Sequence, residues 1–185
     1  MVTTLETNRL ILREFQIADL TDLYEYAKNP NVGPNAGWTP HKNIVESEAV
    51  LNMFMKEDMV WAIVYKADNR VIGSIGLHTD SLRSSLHCIK SRCLGYALSY
   101  DYWGHGITTE AVKEIQRYAF LELGLDIMAV DHYPNNRRSM RVIEKCGFRL
   151  EGTIRMGRPD YEGKPTDIVC YSILKDEWMK NNKLI

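Results

Sequence analysis

Apolar positions recur along the chain with two different periods, and the alternation between them sets out the elements. Arg9–Phe15, "RLILREF", is rich in branched residues and alternates imperfectly, which predicts a strand. In the next stretch, "IADLTDLYEYAKNP", Leu20, Leu23, Tyr24 and Ala27 recur at helical spacing, with Asp19 or Thr21 as cap and Pro30 as stop. "NVGPNAGWTPH" carries two prolines and two glycines and reads as a long loop. Trp38 on this loop is either a peg into the core or a lid over a site. A second helix is expected in "KNIVESEAVLNMFMKED", with Val45, Ala49, Leu51 and Met55 as its apolar residues.

Two β-rich runs, Trp61–Tyr65 and Val71–Ile75, flank a turn at Ala67–Arg70 and predict a hairpin. A polar, irregular segment follows from Thr79. "RCLGYALSY" is the next strand. "SYDYWGHGITTEAVKEIQ" then leads through Gly104 and Gly106 into an amphipathic helix that ends near Leu123-Gly124. "DIMAVDHY" is a strand. "PNNRRSMRVIEKCGF" is a short helix stopped by Gly147, with Met140, Val142, Ile143 and Cys146 available for its buried face. Two strands surround a turn at Glu162-Gly163, and "KDEWMKNNKLI" reads as a tail. The order β-α-α-β-β-β-α-β-α-β-β predicts a mixed α/β fold with helices on both faces of a sheet of about seven strands.

Composition changes this picture little. The 185 residues suit a single domain spanning 1–185, and 45% apolar content supports a sizeable core. With 23 basic and 24 acidic side chains, the net charge is −1, so no global field draws the chain to nucleic acid or an anionic membrane. No apolar run approaches the ~20 residues that span a bilayer. The N-terminus lacks the pattern of a secretory signal, so a cytoplasmic location is expected. Cys88, Cys93, Cys146 and Cys170 form no C-x-x-C pair, which argues for free thiols and against a metal site.

The chemistry concentrates at Gly104–Thr108. A helix start leaves about four N–H groups without partners and carries the positive end of the helix dipole. Glycines before it let an anion reach the backbone. The alternative is a plain strand-to-helix turn. The loop is neither a Walker A motif nor a dinucleotide fingerprint, because the Lys-Ser/Thr pair and the third glycine are both missing.

The company of this loop adds more. Gly95-Tyr96 precedes Tyr102-Trp103-Gly104-x-Gly106-x-x-Thr109-Glu110-Ala111. Asn136-x-x-Ser139 follows, with Glu144-Lys145-x-Gly147-Phe148 and Glu151-Gly152 after it. These ordered motifs, with the opening "TNRLILREF", resemble the GNAT superfamily of acetyl-CoA-dependent N-acetyltransferases. The match is best to the RimJ/RimL-like branch that acetylates ribosomal-protein N-termini, and it covers Leu5 to about Trp178. The sequence departs from it at Ile107, at Thr108 and in a longer stretch from His78 to Lys90.

The resemblance implies a mostly antiparallel sheet splayed in the middle, between Cys93–Ser99 and Ile127–Asp131, with acetyl-CoA entering the gap. The cofactor pyrophosphate would meet the N–H groups of Gly104, His105, Gly106, Ile107 and Thr108. Its pantetheine arm would run along the strand edge that includes Leu98 and Ser99, and Asn136 would hydrogen-bond it. Ser139 would stabilise the leaving thiolate, unless it is only a helix cap. An oxyanion donor is expected among the backbone N–H groups of Tyr96–Ser99. Glu14, Asp131, His132 and Glu151 are the candidate bases. Glu110 reads as dipole or packing support. Arg137, Arg138 and Arg141 either meet the nucleotide phosphate or form a solvated face, and Arg141 is assigned to the solvated face. Trp38 and Tyr161 are candidate walls for the amine acceptor. That acceptor is a protein N-terminus or a small molecule such as an aminoglycoside, a polyamine or an amino acid. A non-catalytic acetyl-CoA-binding module is the alternative. A homodimer is implied by the resemblance alone.

Overall fold

The computed structural model describes residues 2–184. Eight strands form one sheet in the order β1-β2-β3-β4-β5-β6-β8-β7. They are β1 (Leu5–Glu6), β2 (Leu10–Arg13), β3 (Val60–Tyr65), β4 (Arg70–His78), β5 (Ser91–Leu98), β6 (Ile127–His132), β7 (Arg149–Pro159) and β8 (Pro165–Leu174). The helices are α1 (Leu20–Ala27), α2 (Gly33–Ala36), α3 (Ile44–Phe54), α4 (Ile107–Leu121), α5 (Arg137–Lys145) and α6 (Lys175–Asn181). Helices on both faces bury β3 and most of β4 on both sides, so these strands read as continuous apolar runs rather than alternating ones. One core layer joins α4, α5 and α6 to the sheet. The other holds Leu23, Tyr26 and Ala27 of α1 and Leu51 of α3 against Val60, Ala62 and Val64.

All neighbouring strands are antiparallel except β5 and β6. That parallel pair is short. Ser91–Leu94 registers with Ile127–Val130, and there the pairing stops. Past that point β5 stays on β4 to Leu98 (opposite Gly73), and β6 stays on β8 to His132 (opposite Val169). The sheet therefore opens along one line, held apart by its own flanking strands.

Three expectations change. The loop at Asn31–His41 contains the short helix α2, and Trp38 folds back over Gly33, where a Cβ would lie 2.6 Å from the indole. The tail forms α6, because Trp178 is buried and packs on Phe120 at 5.4 Å between ring centroids. In α3 the buried residues are Ser47 and Leu51, whereas Val45, Ala49 and Met55 are exposed. A polar hydrogen bond between His41 Nδ1 and Ser47 Oγ, 2.7 Å, holds the inner face that apolar spacing placed elsewhere.

The start of α4 is pinned to the first hairpin through Glu110. Its Oε1 accepts from Thr7 Oγ1 (2.6 Å) and from the Arg9 N–H (2.9 Å), and its Oε2 accepts from Arg9 Nε (2.7 Å). Arg9 Nη1 also donates to the His105 carbonyl at 2.9 Å. Burial alone would raise the Glu110 pKa. The hydrogen bonds from Thr7 and Arg9 outweigh it and hold the carboxyl below its ordinary value. The unfolded chain therefore takes up this proton first as pH falls. The stabilisation is full above the ordinary value of 4.5 and is lost as pH drops through the folded value. Glu110→Gln is expected to cost about 1–3 kcal/mol at neutral pH, with the gap to the parent narrowing below about pH 4 in urea titrations.

Candidate active site

Beyond Leu98 the chain turns sharply. The Ser99 N–H donates to the Ile72 carbonyl (2.7 Å), a 3-10 turn spans Tyr100–Tyr102, and the Trp103 indole N–H donates to the Leu98 carbonyl (2.9 Å). Gly104 and Gly106 follow with φ of 82° and 74°, the left-handed region that glycine enters without strain. Gly106 is the N-cap of α4. The first bond into the helix runs from the Glu110 N–H to the Gly106 carbonyl (3.0 Å), so the N–H groups of Ile107, Thr108 and Thr109 precede it. A Cβ on Gly104 would meet nothing within 4 Å. One on Gly106 would meet only an Arg9 nitrogen at 3.8 Å. The glycines serve the backbone turn and leave open space outside it.

That space is part of a cavity of 340 Å³ bounded by the loop, the end of β5, α2 and one face of α5. Arg138, Arg141 and Lys145 line it along one helical stripe with Val142 between them. The Arg138 guanidinium lies over the Trp103 ring, 4.8 Å from its centroid. Arg141 lines the cavity and is exposed to solvent as well. Gly104, Gly106, Ile107, Thr108, Leu98 and Asn136 line the cavity as well. Two expected members do not. Ser99 has turned its N–H to β4, and the exposed His105 side chain lies outside, with its carbonyl held by Arg9.

Strand alternation selects the free backbone groups of β5. Because the Ser99 N–H faces β4, those of Ala97 and Gly95 do too, and Tyr96 and Leu98 direct theirs toward the split. The pairing with β6 has stopped by that point, so these N–H groups look into the opening.

Across the split stands α5. Its N-cap is Asn136, whose Oδ1 accepts from the Ser139 N–H at 3.0 Å, while its Nδ2 donates to the Asn35 carbonyl at 3.0 Å. Asn136 therefore caps the helix, and Ser139 is the residue being capped. The Ser139 hydroxyl is left free to meet the Tyr96 hydroxyl at 2.7 Å. Burial pushes the Tyr96 phenol well above its ordinary pKa, so it keeps its proton and can donate. Sequence reading placed Tyr96 on the strand but missed this hydroxyl, whose partner lies 43 residues away.

A second chamber of 310 Å³ shares Tyr96, Asn136, Ser139, Asn35 and Ala36 with the first. Its far wall includes His78, Cys93, Gly95, Asp131, His132 and Arg158. Asp131 Oδ2 pairs with Arg158 Nη2 at 2.7 Å. Burial, reinforced by Asp131, pushes the Cys93 thiol up to about 12, so it is no thiolate carrier at neutral pH. Trp38 and Tyr161 line neither chamber. Trp38 packs into the core beside Gly33 and His41, and Tyr161 sits at the exposed β7–β8 turn. Of the four expected bases, Asp131 and His132 line the second chamber. Glu14 is exposed just past the end of β2, and Glu151 accepts from Ser172 Oγ (2.6 Å) and pairs with Arg83. Among the described residues, no group of three or more His, Cys, Asp or Glu could hold a metal ion, and no helix is long and apolar enough to cross a membrane.

The fold that carries this arrangement has counterparts in known proteins. Residues 9–149 match the family model described as the acetyltransferase (GNAT) domain. An uncharacterised N-acetyltransferase, p20 of Bacillus licheniformis, is 28% identical over 183 residues, covering 95% of this chain and 98% of the relative. YdaF of Bacillus subtilis, a putative ribosomal N-acetyltransferase, is 35% identical over 112 residues, 60% of this chain and 57% of the relative. The crystal structure of a GNAT-family acetyltransferase from Bacillus anthracis superposes with a TM-score of 0.83 at 23% identity, covering 94% of this chain and 99% of the other. The chain belongs to the GNAT family and is an N-acetyltransferase.

Proposed function

We propose that this enzyme acetylates a protein N-terminal amine by direct attack on acetyl-CoA, in the manner of the RimJ/RimL-like branch. The observation that carries direct transfer is the hydroxyl pair Tyr96–Ser139, set where the two chambers meet. The donor enters one chamber and the amine the other, and the buried, protonated Cys93 leaves no thiolate to carry the acetyl group between them. The ribosomal reading draws on the likeness to YdaF and on the motif resemblance around Gly104 and Ser139.

The residues present fit coenzyme A. An open cradle with unpartnered N–H groups suits its pyrophosphate, and the stripe of Arg138, Arg141 and Lys145 suits its remaining phosphate. The donor supplies the acetyl group as a thioester. In this reading the N–H groups of Gly104, Gly106, Ile107 and Thr108 hold the phosphates. The free edge of β5 at Tyr96 and Leu98 receives the arm as an added strand would. One of those two N–H groups polarises the acetyl carbonyl. Asn136 fixes the start of α5 and so sets where Ser139 points. Ser139 hydrogen-bonds the departing sulfur, and Tyr96 supports Ser139 from behind.

Acetyl-CoA is expected to raise the melting temperature, since it binds the folded chain. Gly106→Glu is expected to remove that shift by straining a left-handed position and placing a carboxylate in the cradle. An unchanged shift would reduce the glycines to a turn. Turnover is to be tested by thiol release with an alanine-initiated peptide, spermidine, glycine and an aminoglycoside. Peptide turnover well above the others supports the N-terminal reading, a preference for any small amine overturns it, and no release with any amine leaves a binding module. Ser139→Ala and Tyr96→Phe are each expected to lower kcat by about 100-fold, with acetyl-CoA affinity within about twofold. A loss of affinity matching the loss of turnover would make the pair structural.

A further inference from the structure

His78 ends β4 directly opposite Cys93 of β5. Its ring does not extend away from the sheet but folds back along it. A Cβ on Gly76 would lie 3.0 Å from His78 Nε2, and one on Gly95 would lie 3.2 Å from both Nε2 and Cδ2. Gly76 and Gly95 are themselves cross-strand partners, and neither has a left-handed φ. Here the backbone does not require glycine; the space does. The pair forms a bare floor on which the imidazole rests, at the edge of the split and on the wall of the second chamber.

The other candidate bases are otherwise engaged. Asp131 is paired with Arg158. His132 Nδ1 lies 2.8 Å from the Tyr133 carbonyl and must carry the proton there, while its Nε2 is enclosed. Glu14 and Glu151 line neither chamber. The His78 imidazole makes no hydrogen bond to any described residue, so its nitrogen lone pair is available. The groups around it are Glu57, Arg158, Asp131, Cys93 and His132. Although the residue is partly exposed, desolvation of the ring against the strands, opposed by Glu57 and aided by Arg158, lowers its pKa from the ordinary 6.5.

We infer that His78 is the catalytic base that takes the proton from the acceptor amine. This rests on the acetyl-transfer reading above. His78 accepts one proton from the amine nitrogen as the new N–C bond forms. The electron pair of the breaking C–S bond goes to sulfur. Ser139 supplies a proton to that sulfur and regains one through Tyr96 and solvent, into which His78 releases its own. Amine plus thioester thus give amide plus thiol, with no further reactant.

The test compares the parent, His78→Gln and His78→Ala, using whichever amine of the panel above is turned over fastest. Thermal melts and acetyl-CoA titrations accompany the kinetics. The parent is expected to show kcat/KM rising with pH through a midpoint below 6.5. Both variants are expected to lose about 100-fold in kcat and to lose that acid limb, with acetyl-CoA affinity unchanged. Added imidazole is expected to restore part of the rate to His78→Ala only. A kcat within threefold of the parent with the same acid limb, or a folded variant that imidazole does not rescue, overturns the assignment while leaving acetyl transfer intact. A parent whose thiol release no amine of the panel increases removes the acetyl-transfer reading and this inference together.

Discussion

The hydrogen bonds missing between β5 and β6 organise this protein. Two parallel strands pair for four residues each and then part, although each stays bonded to its outer neighbour. An open line in the middle of a sheet leaves backbone donors and acceptors unsatisfied, and such groups are costly when buried. Here they face cavities instead. One Leu98 acceptor is covered by the Trp103 indole, and the Tyr96 and Leu98 N–H groups stay available to a ligand. What would be a defect in a closed sheet leaves a free strand edge facing a cavity.

Side chains hold the elements around the split in place. Glu110 ties the first turn of α4 to the β1–β2 connection through Thr7 and Arg9, so the glycine cradle does not drift from the sheet. Asn136 does the same for α5, capping it and tethering it to Asn35 of α2. The two helix starts that face the opening are thus both fixed by side chains rather than by direct packing of their own backbones. Preorganisation of this kind lowers the ordering cost of binding and holds donors in place for charge that develops during reaction.

The elements around the first cavity were largely legible in the sequence. Gly104 and Gly106 precede an amphipathic helix, a local pattern that fits an anion site and a plain strand-to-helix turn alike. Asn136-x-x-Ser139 is also local, although only the structure showed which of the two is the cap. The acceptor side was not legible. Tyr96 and Ser139, His78 and Gly95, and Asp131 and Arg158 are each brought together by strand order rather than by sequence spacing. Trp38 illustrates the same limit. A tryptophan on a Gly-Pro loop fits a lid and a core peg equally well, and the choice depended on the space over Gly33.

The sequence by itself therefore determined what is carried by short range. Periodicity gave most of the strands and helices, the glycines before an amphipathic helix marked a candidate anion site, and two ordered motifs gave the family. Tertiary structure decided which polar groups are left over once the sheet is paired. It assigned Ser99 to β4 and Tyr96 to the split, made Asn136 a cap, and brought His78 over two facing glycines. The reason is physical. A site is made of unsatisfied groups that face one another, and satisfaction can be counted only after every strand has found its partner.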